Sequence, residues 1–154
     1  MEHLMFPQKN NVETDYLFVL TIDTIVVAAE SKKIFGKAKD LSDARRMLKI
    51  LQREPADVIT GCCLEKRIWK AGSWQVVDKM YWATNALVEF CVEDEMIEMY
   101  LEKVPEVLGV AGAVMIEHPF GQQFCKQVQG SYSTIIGLPL FELRKNLKQL
   151  GFCF

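Results

Sequence analysis

Apolar residues run almost unbroken from Tyr16 to Ala29, with β-branched and aromatic types dominant. Such a run predicts a buried strand over residues 16–28, too apolar to alternate cleanly between two faces. A helical period follows. Leu41, Ala44, Leu48 and Leu51 share one side and Arg45, Arg46, Lys49 and Gln52 the other, which predicts a helix over 41–53. Asp40 is placed to cap its start, and Pro55 stands just past its end. Residues 56–69 predict a second strand and 74–90 a returning one, because Ala71-Gly72-Ser73 between them is a turn signal. A helix over 93–103 opens on Glu93, Asp94 and Glu95, where the dipole favours acids. Met96, Ile97, Tyr100, Leu101 and Val104 form its apolar stripe. Residues 109–130 are punctuated by glycine, with short β-like runs. A last helix is predicted over 138–150, with Pro139 in its first turn, Leu140, Leu143, Leu147 and Leu150 on one face and Gly151 as its stop. Residues 1–15 are polar and poorly patterned and read as a loose arm, leaving 16–154 as a single domain. Strands intermixed with helices predict an α/β fold, a mixed β-sheet flanked by helices.

Composition narrows the class. The chain has 154 residues, half of them hydrophobic and a quarter charged, enough for one domain with a real core. Eighteen basic and 20 acidic residues give a net charge of −2, so no basic excess marks a nucleic-acid partner. The five cysteines, Cys62, Cys63, Cys91, Cys125 and Cys153, are odd in number and lack C-x-x-C spacing. They read as free thiols in a reducing compartment, and with only His3 and His118 no zinc-ligand spacing exists. The first ten residues carry no basic segment followed by an apolar one, so no signal peptide is expected. The Tyr16–Ala29 run contains Asp23 and is too short to span a bilayer. A cytoplasmic protein without membrane contact is expected.

Three places could carry chemistry. Asp23 is the only charge within Leu17–Val27, and a lone carboxylate in such a run calls for a metal, a ligand or a structural partner at a loop or strand end. Lys37 follows Gly36, but no upstream glycine precedes the pair and Ala38 follows it, so this is not a P-loop. The lysine reads equally as a phosphate contact or a solvated side chain. Gly109-Val110-Ala111-Gly112-Ala113 lets backbone approach a ligand closely, and Glu117, before Pro119 and Gly121, presents a carboxylate or belongs to a plain turn. His118 reads as a surface loop residue. Cys62-Cys63 reads as core packing, and Arg45-Arg46 as a solvated helix face. No G-x-S-x-G nucleophile motif occurs.

Four stretches together resemble the Maf family of nucleotide pyrophosphatases, the septum-formation inhibitor-like proteins. Ile22-Asp23-Thr24-Ile25-Val26-Val27 looks like the family's Asp-Thr strand. Phe35-Gly36-Lys37-Ala38-Lys39-Asp40, with Ala44 and Met47-Leu48 behind, looks like its Gly-Lys-Pro loop and helix, with Ala38 in place of Pro. Val58-Ile59-Thr60-Gly61 looks like its next strand, and residues 129–140, QGSYSTIIGLPL, are the most specific match. The resemblance covers about residues 16–151 and implies a Maf/inosine-triphosphatase-like fold. It also implies hydrolysis of modified or non-canonical nucleoside triphosphates to monophosphate and pyrophosphate with a divalent cation, Mg2+ or Mn2+. Asp23 would hold the metal or activate water, Lys37 would contact phosphates, and Glu117 would bind substrate and metal. A Glu rather than a Gln in the Ala111–Glu117 segment resembles the branch acting on 7-methyl-GTP, the substrate expected here, whereas the Asp23-Thr24 pair is commoner in the branch acting on dTTP and UTP, the alternative.

The chain departs from the family at its start. Met1 comes too late for the family's first strand, its paired-arginine loop or the Glu that follows, and Lys9 stands too near Asp23, beside Pro7, for the family's helix lysine. An N-terminally truncated version of the fold is therefore expected. The activity stays open between a working pyrophosphatase, a weak or inactive nucleotide-binding relative, and a fragment of a longer enzyme. A bare sheet edge where the first strand is missing predicts a homodimer.

Overall fold

The structure, a computed structural model, describes residues 3–9 as backbone and 15–154, with side chains from Tyr16 onward. Six strands form one sheet: β1 (His3–Lys9), β2 (Asp15–Ala28), β3 (Ile34–Phe35), β4 (Ala56–Lys70), β5 (Ser73–Phe90) and β6 (Cys125–Gln129). Their order is β1-β2-β4-β5-β6, with β3 beside the far end of β2. Every pairing among the described residues is antiparallel, so the mixed sheet expected from sequence is realised as an antiparallel one with helices packed on it.

Three long strands dominate. β2 and β4 pair from Tyr16↔Ile68 to Ala28↔Ala56, and β4 returns into β5 through Ala71-Gly72. Both turn residues have positive φ, 51° and 80°, the backbone of a type I′ turn, whose twist matches that of the flanking strands. Alternation is cleaner than the apolar run suggests. Phe18, Leu20, Val26 and Ala28 of β2 share a buried face with Val58, Cys62 and Leu64 of β4 and Val88 and Phe90 of β5. The opposite face stays partly open to solvent, as antiparallel sheets allow.

Helices cover the buried face in two groups. Helices α1 (Leu41–Leu51) and α2 (Asp94–Lys103) close one end over Val26, Val58, Val88 and Phe90. Helix α5 (Leu140–Gln149) closes the other over Phe18, Leu20, Cys62 and Leu64. The short helices α3 (Pro119–Gln122) and α4 (Tyr132–Ile135) lie in the connecting segments. The N-cap of α1 is Asp40, whose Oδ1 accepts from Asp43 N at 2.8 Å. Asp40→Ala should therefore cost about 1 kcal/mol, read as a lower urea midpoint at unchanged slope.

Several sequence expectations change. Residues 3–9 are not a loose arm but a strand whose edge position accommodates Pro7 opposite Leu17, while 1–2 and 10–14 lie outside the described residues. That strand pairs the edge of β2 that the sequence leaves bare over Asp15–Thr21. Lys9 sits on it rather than on a helix, and its side chain lies outside the described residues. The 109–130 region holds one short helix and one strand after a 3-10 turn at Pro105–Gly109. Leu41 and Leu140 are 48% and 56% exposed, because each starts its helix before the sheet covers it, and Met47 is buried in the α1 face instead.

Candidate functional site

Strand β1 pairs with β2 up to Thr21, and β3 takes over at Val26. Among the described residues nothing pairs with Ile22–Ile25 on that side, so the sheet edge has a window there. Asp23 stands in it, exposed, and the cost of burying its charge does not arise. Its Oδ1 accepts from Thr24 N at 3.0 Å, and no described group bonds Oδ2. A cavity of about 480 Å3 opens here, within the range of small-molecule sites. Asp23, Lys37, Glu117, Val114, Ile136 and the backbone of Gly137 line it, with the apolar floor of β2, β4 and β5 beneath.

Lys37 reaches the cavity because its loop is stitched to the Ala-Gly segment. Lys37 and Ala111 form an isolated antiparallel bridge, and Gly112 N donates to Gly36 O at 3.0 Å. Gly112 has φ +71°, and a Cβ there would meet Leu51 Cδ1 at 3.2 Å and Val26 at 3.3 Å. A side chain would press the Ala-Gly segment against α1 and β2, in a backbone conformation that already disfavours one. Lys37 and Glu117 have no ion-pair partner among the described residues. Among the described residues, one cation and two carboxylates without ion-pair partners line this cavity, which suits a charged ligand that brings both anionic and cationic groups.

Glu117 arrives on a loop held from behind. Ala113 has φ +56°, a left-handed conformation that disfavours alanine by about 1–2 kcal/mol, yet it is fully buried. Tyr100, also fully buried, donates its hydroxyl to Ala113 O at 3.1 Å and accepts from Met115 N at 3.0 Å. Burial pushes the Tyr100 phenol well above its ordinary range, and the nearby Glu117 charge adds to this against the Met115 N–H. The hydroxyl thus keeps the proton it gives to Ala113.

A hydroxyl relay runs beneath the cavity. Thr60 Oγ1 donates to Thr134 O at 2.9 Å, so its single proton is committed and the 3.0 Å contact with Thr24 Oγ1 must be donated by Thr24. Thr134 Oγ1 in turn donates to Thr84 Oγ1 at 3.3 Å. These bonds tie α4, in the QGSYSTIIGLPL segment, to β2 one residue after Asp23. Leu140 N donates to Ser133 Oγ at 3.2 Å, fixing the start of α5. Sequence reasoning missed Tyr100, Thr60 and Thr134 as site supports. Only the match over residues 129–140 hinted that α4 mattered.

Other candidates lie apart from the cavity lining. Cys62 is buried, and desolvation with the Glu142 charge pushes its thiol up to about 11, the state of an inert core cysteine. His118 Nδ1 accepts from Phe120 N at 3.1 Å and caps α3. Arg45 pairs with Glu98, and Arg46 with Asp43, so the helix face read as merely solvated carries surface ion pairs. No three His, Cys, Asp or Glu converge into a metal-binding group among the described residues.

The Maf-like protein family model matches residues 5–150. A protein of Porphyromonas gingivalis named dTTP/UTP pyrophosphatase is 31% identical over 138 residues, covering 89% of this chain and 63% of its own length. Proteins of the same name from Ruminiclostridium cellulolyticum and a Shewanella species are each 36% identical, covering 86% of this chain and 64% and 62% of theirs. The chain thus spans somewhat under two thirds of the length of these relatives. No helix among the described residues is long and apolar enough to cross a membrane.

Proposed function

Since the chain belongs to the Maf-like family, we propose that it is a nucleoside triphosphate pyrophosphatase, cleaving the α–β phosphoanhydride with water to give a monophosphate and pyrophosphate. The observation that carries the reading is the meeting of Asp23, Lys37 and Glu117 on one cavity of about 480 Å3. Asp23 is the acceptor for the proton of the attacking water, since Oδ2 is open and Oδ1 is fixed by Thr24 N. Lys37 takes phosphate oxygens, as an ammonium with no described carboxylate to satisfy it.

The donor set fits a divalent cation that arrives with the nucleotide. Magnesium is commonly held by one or two carboxylates plus substrate phosphates, and Asp23 and Glu117 supply the carboxylates while no third protein ligand joins them among the described residues. When bound, such a cation neutralises phosphate charge.

For the base, the relatives' names support dTTP and UTP. Glu117 favours a second reading, in which its carboxylate faces the base instead of the cation and Asp23 alone holds the metal with the phosphates. A carboxylate only accepts hydrogen bonds, so it suits the N1–H and N2–H edge of guanine and the positive charge of a 7-methylguanine ring better than the carbonyls of thymine or uracil. The test is pyrophosphate release with magnesium from UTP, dTTP, 7-methyl-GTP and GTP. Release from one class at least about tenfold above unmodified GTP is expected, and which class decides between the two readings. Lys37→Ala should raise KM about 10–100-fold, the worth of one charge-assisted contact. Binding without release supports a non-catalytic relative, and neither binding nor release overturns the proposal.

A further inference from the structure

We propose that Tyr100 is a positioning residue whose hydroxyl holds the wall of the cavity that presents Val114 and Glu117. This rests on the nucleotide reading for its functional consequence but on geometry alone for the clamp. The wall begins at two consecutive left-handed residues, Gly112 at φ +71° and Ala113 at φ +56°. Alanine does not stay there unless the surroundings hold it. Gly112 N bonds Gly36 O and Ala113 N bonds Val110 O on the near side, and beyond them one side-chain oxygen atom holds the segment. Tyr100 Oη bonds the carbonyl of Ala113 at 3.1 Å and the amide of Met115 at 3.0 Å, bracketing Val114. Those two backbone groups are bonded to a side chain of α2, and Val114 and Glu117, beside them in the chain, line the cavity.

The ring is fixed in turn. It is fully buried and packs against Phe90 with centroids 5.5 Å apart, a contact that by itself aims the hydroxyl at the loop. Gly121 packs beside the Tyr100 ring against the same segment, and its position leaves no room for a methyl next to Met115 O. A loop bonded at two adjacent points and backed by a helix is pre-organised for its ligand, and losing the bonds should be felt first as weaker binding.

Tyr100→Phe keeps the ring and removes only the hydroxyl. Phe124→Leu serves as the comparison, because it loosens the same aromatic cluster, does not line the cavity and leaves both hydroxyl bonds in place. The first measurement needs no ligand: hydrogen exchange at Met115 and its neighbours. We expect at least tenfold faster exchange over 111–117 in Tyr100→Phe, beyond any change in α1, and no such local excess in Phe124→Leu. Equal exchange in the two variants overturns the clamp. The second measurement is the affinity for the α,β-imido analogues of dTTP and 7-methyl-GTP. Tyr100→Phe should bind the preferred one about tenfold more weakly, with Phe124→Leu within twofold of the parent protein. A Tyr100→Phe protein that melts lower but binds as the parent does reduces Tyr100 to a core residue and overturns the functional part. Should the parent protein bind neither analogue, the nucleotide reading and the functional part fall together, and the exchange measurement decides the clamp by itself.

Discussion

Asp23→Asn should lower pyrophosphate release at least about 100-fold while leaving the protein folded, since a positioned general base commonly contributes 10²–10⁴-fold. The two halves of this expectation have separate physical grounds. Asp23 is exposed in the window between β1 and β3, and its one described bond is Thr24 N to Oδ1. An asparagine carbonyl can accept the same bond, so little stability is at stake. What disappears is the negative charge and the second acceptor oxygen. An amide neither takes a proton from water nor holds a divalent cation as a carboxylate does. The measurement is a single-turnover rate of pyrophosphate release beside a melting curve. A variant retaining more than half the rate would remove Asp23 from the chemistry. A folded parent protein that binds nucleotide through Asp23 but releases nothing would instead make this a binding protein. The window also explains why a carboxylate sits in an otherwise apolar strand. Strand β2 has neighbours on both edges along most of its length, and Asp23 falls where no described residue pairs with the outer edge.

Much of this architecture was legible in the sequence because it depends on local signals. The hairpin follows from two β-rich runs around Ala71-Gly72, and α1 from its spacing and Asp40. Of the three charged cavity residues, Asp23 was legible as a charge out of keeping with its strand, whereas Lys37 and Glu117 read equally as a solvated lysine and part of a plain turn. The rest depends on contacts distant in sequence. Tyr100 reads as one more apolar residue of the α2 stripe, and nothing local reveals that its hydroxyl serves backbone groups 13 and 15 residues later. Thr60 and Thr134 look like ordinary strand and loop threonines until 74 residues of chain bring them together. Strand β1 has weak intrinsic pattern and exists as a partner of β2. The ends of helices mislead for the same reason. Leu41 and Leu140 fit their helical faces by period, but the packing partner begins one turn later.

Gly121→Ala should be among the most destabilising single-methyl changes in this chain, costing about 3 kcal/mol, at the upper end of what overpacking usually costs. In isolation alanine is the better helix former by about 1 kcal/mol, and Gly121 lies within α3, so propensity predicts a gain. Packing reverses the sign. A Cβ on Gly121 would stand 2.1 Å from Met115 O and 3.1 Å from its carbonyl carbon. These are backbone atoms, which cannot swing aside as a long side chain can. Met115 cannot retreat freely either, because its amide is bonded to Tyr100 and the Tyr100 ring stands 3.3 Å from the same added methyl. Gly61→Ala in β4 is the comparison, since a Cβ there meets nothing within 4 Å and alanine should be neutral or up to about 1 kcal/mol better. For a domain of this size the loss at Gly121 corresponds to a fall of about 6–12 °C in Tm. Thermal melts of both variants measure it. A Gly121→Ala protein melting within about 2 °C of the parent would mean that α3 and the Glu117 loop are not in this contact. If the fall is as expected, the same methyl should also weaken nucleotide binding in the protein that remains folded, because it displaces the segment between Tyr100 and Glu117.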